Sequence, residues 1–181
     1  MNKLLSLLIP FVLCAQMSRA AEDPDSVIVQ DFEKRVAAYL QLRRSIESKL
    51  PRLKPTTSPA EISHYQRALA EAIAEARKSA RPGDIFTPPI AAEIRRLIGM
   101  SMQAGGKTIS ESLQHAEPVQ LRLHVNEPYP ANVPVQSTPP SLLLNLPRLP
   151  PEIEYRVTGR DLILLDSKAG LTVDLIENVF H

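Results

Sequence analysis

The chain has 181 residues, 21 basic and 20 acidic side chains, a net charge of +1, an aromatic share of 4% and no tryptophan. That balance excludes a protein held to nucleic acid or to an anionic membrane by bulk charge. The shortage of aromatic rings argues against a carbohydrate-stacking platform.

The N-terminus carries the three parts of a secretory signal in order. Lys3 supplies the positive start, and Leu4 to Ala15 form an apolar run interrupted only by Ser6 and Pro10. Ser18-Arg19-Ala20 then sets small side chains at the two positions a signal peptidase reads, which predicts a cleaved signal peptide over 1–20 with the cut after Ala20. A retained span needs roughly 20 apolar residues. This run is shorter and contains a proline, so no stable membrane span is expected after cleavage. A lipid-anchored start at Cys14 is disfavoured by Leu13, where a small residue is usual.

Cleavage removes the sole cysteine, Cys14, and leaves 161 of the 181 residues, with 19 basic against 20 acidic side chains. Disulfides, thiol catalysis and cysteine-ligated metals are thereby excluded from the mature chain. A thiol-free body is compatible with an oxidising compartment. The expected location is periplasmic or secreted.

Residues 21–117 read as helical. A first helix, capped by Asp25 or Ser26, runs to about Leu50, with Ile28, Phe32, Val36, Tyr39, Leu40 and Leu42, then Ile46 and Leu50, forming an apolar stripe on one face. Lys34, Arg35, Arg43 and Arg44 fall largely outside that stripe, on the expected solvated side. Pro51 and Pro55 stop the helix. Glu33 and Glu47 dilute its basic residues, so packing explains the stripe better than a membrane surface does.

The second helix has a clear start. Ser58-Pro59-Ala60-Glu61 offers a cap hydroxyl, a proline at the first helical position and a glutamate three residues after the cap. The helix continues through Ile62, Tyr65, Leu69, Ile73 and Ala76 and stops by Arg81-Pro82-Gly83-Asp84. A third helix opens at Thr87-Pro88-Pro89, buries Ile90, Ile94, Leu97, Ile98 and Met102, and is expected to end at Gly105-Gly106. Thr108 to Ala116 then reads as a short fourth helix.

Residues 118–151 form a proline-rich connector holding nine of the seventeen prolines. Within it, Val119, Leu121, Leu123 and Val125 alternate with polar residues, the period of a half-buried strand. Leu142 to Leu146 reads as another strand or an extended packing segment. Residues 152–181 read as an antiparallel meander: Ile153–Val157, Leu162–Leu165 and Leu171–Ile176, joined by turns at Thr158-Gly159 and Asp166–Gly170. A three-stranded sheet needs a cover. About three antiparallel helices packed on it give an α+β fold, with helices and meander forming one structural unit.

Leu146-Pro147-Arg148-Leu149-Pro150-Pro151-Glu152-Ile153-Glu154-Tyr155-Arg156, then Gly159-Arg160-Asp161-Leu162 and Val173-Asp174-Leu175-Ile176, resembles the C-terminal block of a family of uncharacterised exported bacterial proteins. The block spans about a fifth of the chain. The resemblance implies export, and it brings no activity and no catalytic residues.

Each catalytic constellation in the sequence lacks a member. Gly105-Gly106-Lys107-Thr108 ends like a phosphate-binding loop, but Ser101 stands where its first glycine belongs and a helix precedes it, so no nucleotide is expected. Gly99-Met100-Ser101-Met102-Gln103 misses a nucleophile elbow because Gln103 replaces the second glycine. Glu61 and His64 share one helix face, as in di-iron bundles, but the pattern occurs once; Glu111 and His115 would have to complete it. His64, His115 and His124 have no carboxylate at a telling spacing.

Arg156, Arg160, Asp161, Asp166 and Asp174 read as turn chemistry and cross-strand pairs of the meander. The segment from Pro128-Tyr129-Pro130 to Pro139-Pro140 is the most plausible contact surface, either for an envelope protein partner or against its own fold. No catalytic, cofactor or metal residue is assigned. Two readings stand: a non-catalytic interaction or structural protein of the cell envelope, and a small envelope hydrolase using a histidine and a carboxylate in a cleft.

Overall fold

A computed structural model describes residues 24–114, 122–130 and 138–180. The proposed signal peptide, residues 1–20, lies outside them. In chain order the elements are α1 (Pro24–Glu47), α2 (Pro59–Ala76), α3 (Pro88–Gln114), α4 (Pro140–Leu143), β1 (Ile153–Thr158), β2 (Asp161–Asp166) and β3 (Leu171–Ile176). The strands form an antiparallel sheet in the order β1-β2-β3. The architecture is α+β, as expected.

Local chemistry accounts for α2. Ser58 Oγ accepts from the Glu61 N–H at 3.4 Å, and Pro59 takes the first helical position, where an N–H would have no partner. α1 stops at Glu47, earlier than the periodicity suggests. Its last turn tightens, with the Lys49 and Leu50 N–H groups donating to Ile46 and Glu47 at 3.0 and 3.2 Å, before Pro51 diverts the chain.

Three expectations are corrected. α3 does not end at Gly105-Gly106 but continues to Gln114, absorbing most of the expected fourth helix. Glycine weakens a helix by about 1 kcal/mol relative to alanine, which an established helix tolerates without a proline or a competing cap. Leu142–Leu146 is not a strand. Pro139-Pro140 starts a helical turn in which the Leu142 N–H donates to Pro139 and the Leu144 N–H to Pro140. That turn buries Leu142 and leaves Leu144 83% exposed.

The third concerns the strand expected over Val119–Val125. Its first residues lie outside those described, and 122–125 form no strand. Pairing begins one step later. Asn126 adopts a left-handed φ of 71°, and the stretch behind it runs antiparallel to β3. Asn126 N–H donates to Thr172, Thr172 N–H to Glu127 and Tyr129 N–H to Gly170, at 2.7–2.9 Å.

The sheet is apolar on both faces. Toward the helices it presents Ile153, Tyr155, Val157, Leu162, Leu164 and Leu171, which join Phe32, Leu40, Leu69, Ile73, Ile90 and Ile94 in one core. On the other face Ile163, Leu165 and Leu175 pack under Leu123, Val125 and Tyr129. This explains the unbroken apolar run of β2, since a strand covered on both sides loses its alternation. Phe32, Phe86 and Tyr155 stack in sequence, with centroids 5.7 and 6.4 Å apart, joining α1, the α2–α3 connection and β1. Among the described residues no helix is long and apolar enough to cross a membrane.

Candidate functional site

Two buried carboxylates organise the helical face of the sheet. β3 carries a bulge: Leu164 pairs with Asp174 and Leu165 with Thr172, leaving Val173 as the extra residue. Val173 joins the helix-side core and Asp174, next in sequence, also reaches toward the helices. Its Oδ2 accepts the N–H groups of Ile85 and Phe86, both at 2.7 Å. Its Oδ1 accepts those of Gly83 and Leu175 at 3.0 and 2.8 Å. Asp174 thus fixes the α2–α3 connection, and four main-chain donors repay its desolvation.

Asp166, at the end of β2, fixes α1. Its Oδ1 accepts the N–H groups of Lys168 and Ala169 at 3.1 and 2.9 Å. Its Oδ2 accepts the Tyr39 hydroxyl at 2.8 Å and lies 2.6 Å from Arg43 Nε. Burial, reinforced by the neighbouring Asp166 charge, pushes the Tyr39 hydroxyl well above the ordinary tyrosine range. Asp166 and Asp174 were expected to pair with arginines across neighbouring strands. Instead Asp166 caps its own turn through Oδ1 and reaches α1 through Oδ2, and Asp174 reaches the α2–α3 connection, tertiary uses that strand spacing cannot reveal.

From Arg43 the network runs outward. Arg43 Nη1 sits 3.4 Å from Glu47 Oε2, while Glu47 Oε1 accepts the Tyr65 hydroxyl at 3.1 Å and pairs with the Lys168 ammonium. The hydrogen bond from Lys168 holds the Glu47 carboxyl below the usual carboxylate range, with Tyr65 and Arg43 adding to the effect. Burial, then Glu47, raises the Tyr65 hydroxyl. The Lys168 ammonium also lies over the Tyr65 ring, 5.7 Å from its centroid.

Tyr65 therefore stands fixed at the surface, and an open groove passes it on both sides. One half has a volume of about 520 Å³ and is walled by Leu50, Pro51, Leu53, Ala60 and Ala68, with Lys54, Glu61 and His64 at its edge. The other half, about 530 Å³, is lined by Arg44, Glu47, Ser48 and Lys168. Arg52, Leu53 and Tyr65 belong to both halves.

The structure places the sequence candidates as follows. Glu61 and His64 do face the same way and both line the groove, exposed and without a hydrogen bond to each other. Glu111 lies on α3 and His115 outside the described residues. His124 is exposed just before Asn126. Among the described residues no three histidine, cysteine, aspartate or glutamate side chains gather as a metal would require.

Ser101 is an ordinary helical serine, donating to the Leu97 carbonyl at 2.9 Å and accepting from Asn145 at 2.9 Å. Gly105-Gly106-Lys107-Thr108 sits within α3 rather than in a loop. In the meander, Arg156 pairs with Glu154 on its own strand at 2.9 Å, Arg160 donates to the Phe180 carbonyl, and Asp161 accepts the Asn178 N–H. Of the segment from Pro128 to Pro140, Pro128 and Tyr129 pack on this protein's own sheet, and 131–137 lie outside the described residues.

The groove is what sequence reasoning missed. Its faint signal is Leu50-Pro51-Arg52-Leu53-Lys54, a connection too apolar and too basic for a simple spacer. Compared with protein-family models, with curated proteins and with solved structures, the chain matches none.

Proposed function

We propose that this chain is an exported, non-catalytic binding protein of the cell envelope that presents the Tyr65 groove to a partner. The observation that carries the reading is the groove's construction: an apolar half and a cation-rich half meet at one aromatic side chain held in place by the Asp166–Arg43–Glu47 network. Concave apolar sites with a few fixed polar groups are the usual form of a binding site. Export is supported by the leader over 1–20, by the thiol-free body that follows it and by the resemblance of the C-terminal block.

Leu53 provides the test. The Leu53→Asp variant leaves the core intact, because Leu53 is exposed at the groove wall. Tagged wild-type protein recovered from the envelope fraction should bring a bound species that the variant lacks. The rival reading, an envelope hydrolase, would draw on Glu61 and His64, which line the same groove. Turnover of an envelope substrate that disappears in His64→Ala would favour the hydrolase and overturn the binding-only account.

A further inference from the structure

The chemistry of the Tyr65 groove narrows what it can hold, granted that it is a binding surface. Arg44, Arg52, Lys54 and Lys168 line it against two carboxylates, Glu47 and Glu61. Arg44 is committed to Glu152 at 3.2 Å and Lys168 to Glu47. Arg52 and Lys54 make no ion pair among the described residues, and both are exposed residues that line the apolar half. The charge complement is therefore an anion, and the complement of Leu50, Pro51, Leu53 and Ala68 is an apolar chain attached to it.

Backbone bonding separates a peptide from a simple amphiphile. A bound peptide needs partners for its own amides, as a strand edge supplies them. Here the walls are α2 and the 50–54 connection, which form no strand, so the groove offers no such edge. The Ser48, Lys49 and Leu50 N–H groups donate to Arg44, Ile46 and Glu47, and the first turn of α2 is capped by Ser58. An alkyl chain asks for no such partners. Each half of the groove, at about 520 and 530 Å³, also falls in the size range of small-molecule sites, about 300–1,000 Å³.

We propose that the groove binds a long-chain carboxylate, its alkyl chain along Leu53 and Ala68 and its carboxylate between Arg52 and Lys54. Affinity should rise up to about fourfold for each added methylene that the apolar half buries.

Isothermal titration of the purified protein tests this, with octanoate, decanoate and dodecanoate below their micellar concentrations, with dodecanol, and with a short peptide ending in leucine and a free carboxylate. Binding should strengthen from octanoate to dodecanoate, and dodecanol should bind at least tenfold more weakly than dodecanoate. Arg52→Glu should weaken dodecanoate at least tenfold and leave dodecanol unchanged. Ala68→Glu should abolish both, with the melting temperature of each variant unaltered. Absence of dodecanoate binding, equal affinity for acid and alcohol, indifference to Arg52→Glu or tighter binding of the peptide would each overturn the assignment. If dodecanoate fails while the species recovered from the envelope remains sensitive to Leu53→Asp, the carboxylate assignment falls and the groove's binding role stands.

Discussion

Arg43 of α1 and Asp166 of β2 meet at 2.6 Å in the interior, the arginine side chain 3% exposed and the carboxylate fully buried. Neither Arg43 Nε, despite its closeness to Asp166, nor Nη2 makes a hydrogen bond of good geometry, so the guanidinium is held by charge more than by directed bonds. Removing one member of a buried pair leaves the other charge uncompensated, which typically destabilises by about 3–5 kcal/mol. Asp166→Ala should fall in that range in chemical denaturation. Asp166→Asn should cost less, because an amide oxygen can still accept from Lys168 and Ala169.

Asp174 makes a separate prediction. Its carboxylate is the acceptor for Gly83, Ile85 and Phe86, and an unsatisfied buried donor costs about 1–3 kcal/mol. Asp174→Ala should therefore destabilise by at least about 3 kcal/mol. The amides of Ile85 and Phe86 should lose hydrogen-exchange protection before those of β1 do.

Acid should loosen the groove. Glu47 titrates below its ordinary value of 4.5 when folded, chiefly because Lys168 donates to it. Its contribution is thus present above pH 4.5 and lost as pH falls through the lower folded value. Unfolding free energy followed from pH 6 down to 3 should drop, and Glu47→Gln should flatten part of that drop. At the other end, burial raises Tyr39 and Tyr155 above 10.0, so their contribution is present below pH 10.0 and is lost as pH climbs beyond it. Tyr39→Phe should reduce that alkaline loss.

Two neighbouring leucines should behave oppositely. Leu142 is fully buried, and Leu142→Ala should cost about 2–5 kcal/mol. Leu144→Ser, at the exposed apex of the same turn, should change stability by no more than about 0.5 kcal/mol. Equal effects in thermal melts would contradict the helical turn over Pro140–Leu143.

Readability followed the range of the interactions. α2 could be placed from four residues because Ser58, Pro59 and Glu61 act within one turn. The meander was legible because turn residues and strands alternate within twenty-five residues, and Gly159 and Gly170 do adopt the positive φ their turns require. Leu142–Leu146 misled because apolar composition alone does not separate a strand from a buried turn of helix. Asp166 and Asp174 were invisible as anchors because the partners they hold in α1 and in the α2–α3 connection lie far away in sequence, and because a bulge sends Asp174 to the face already holding Val173. The groove could not be foreseen for the same reason, since it exists only once the 50–54 connection folds beside α2 and the β2–β3 turn delivers Lys168.

The most direct test is a photo-crosslinking residue at position 53 in the cells that produce the protein, with position 144 as the control surface. The account predicts an adduct at 53 that competes away when the groove is filled by Ala68→Glu. Adducts at 144 alone, with none at 53, would contradict it.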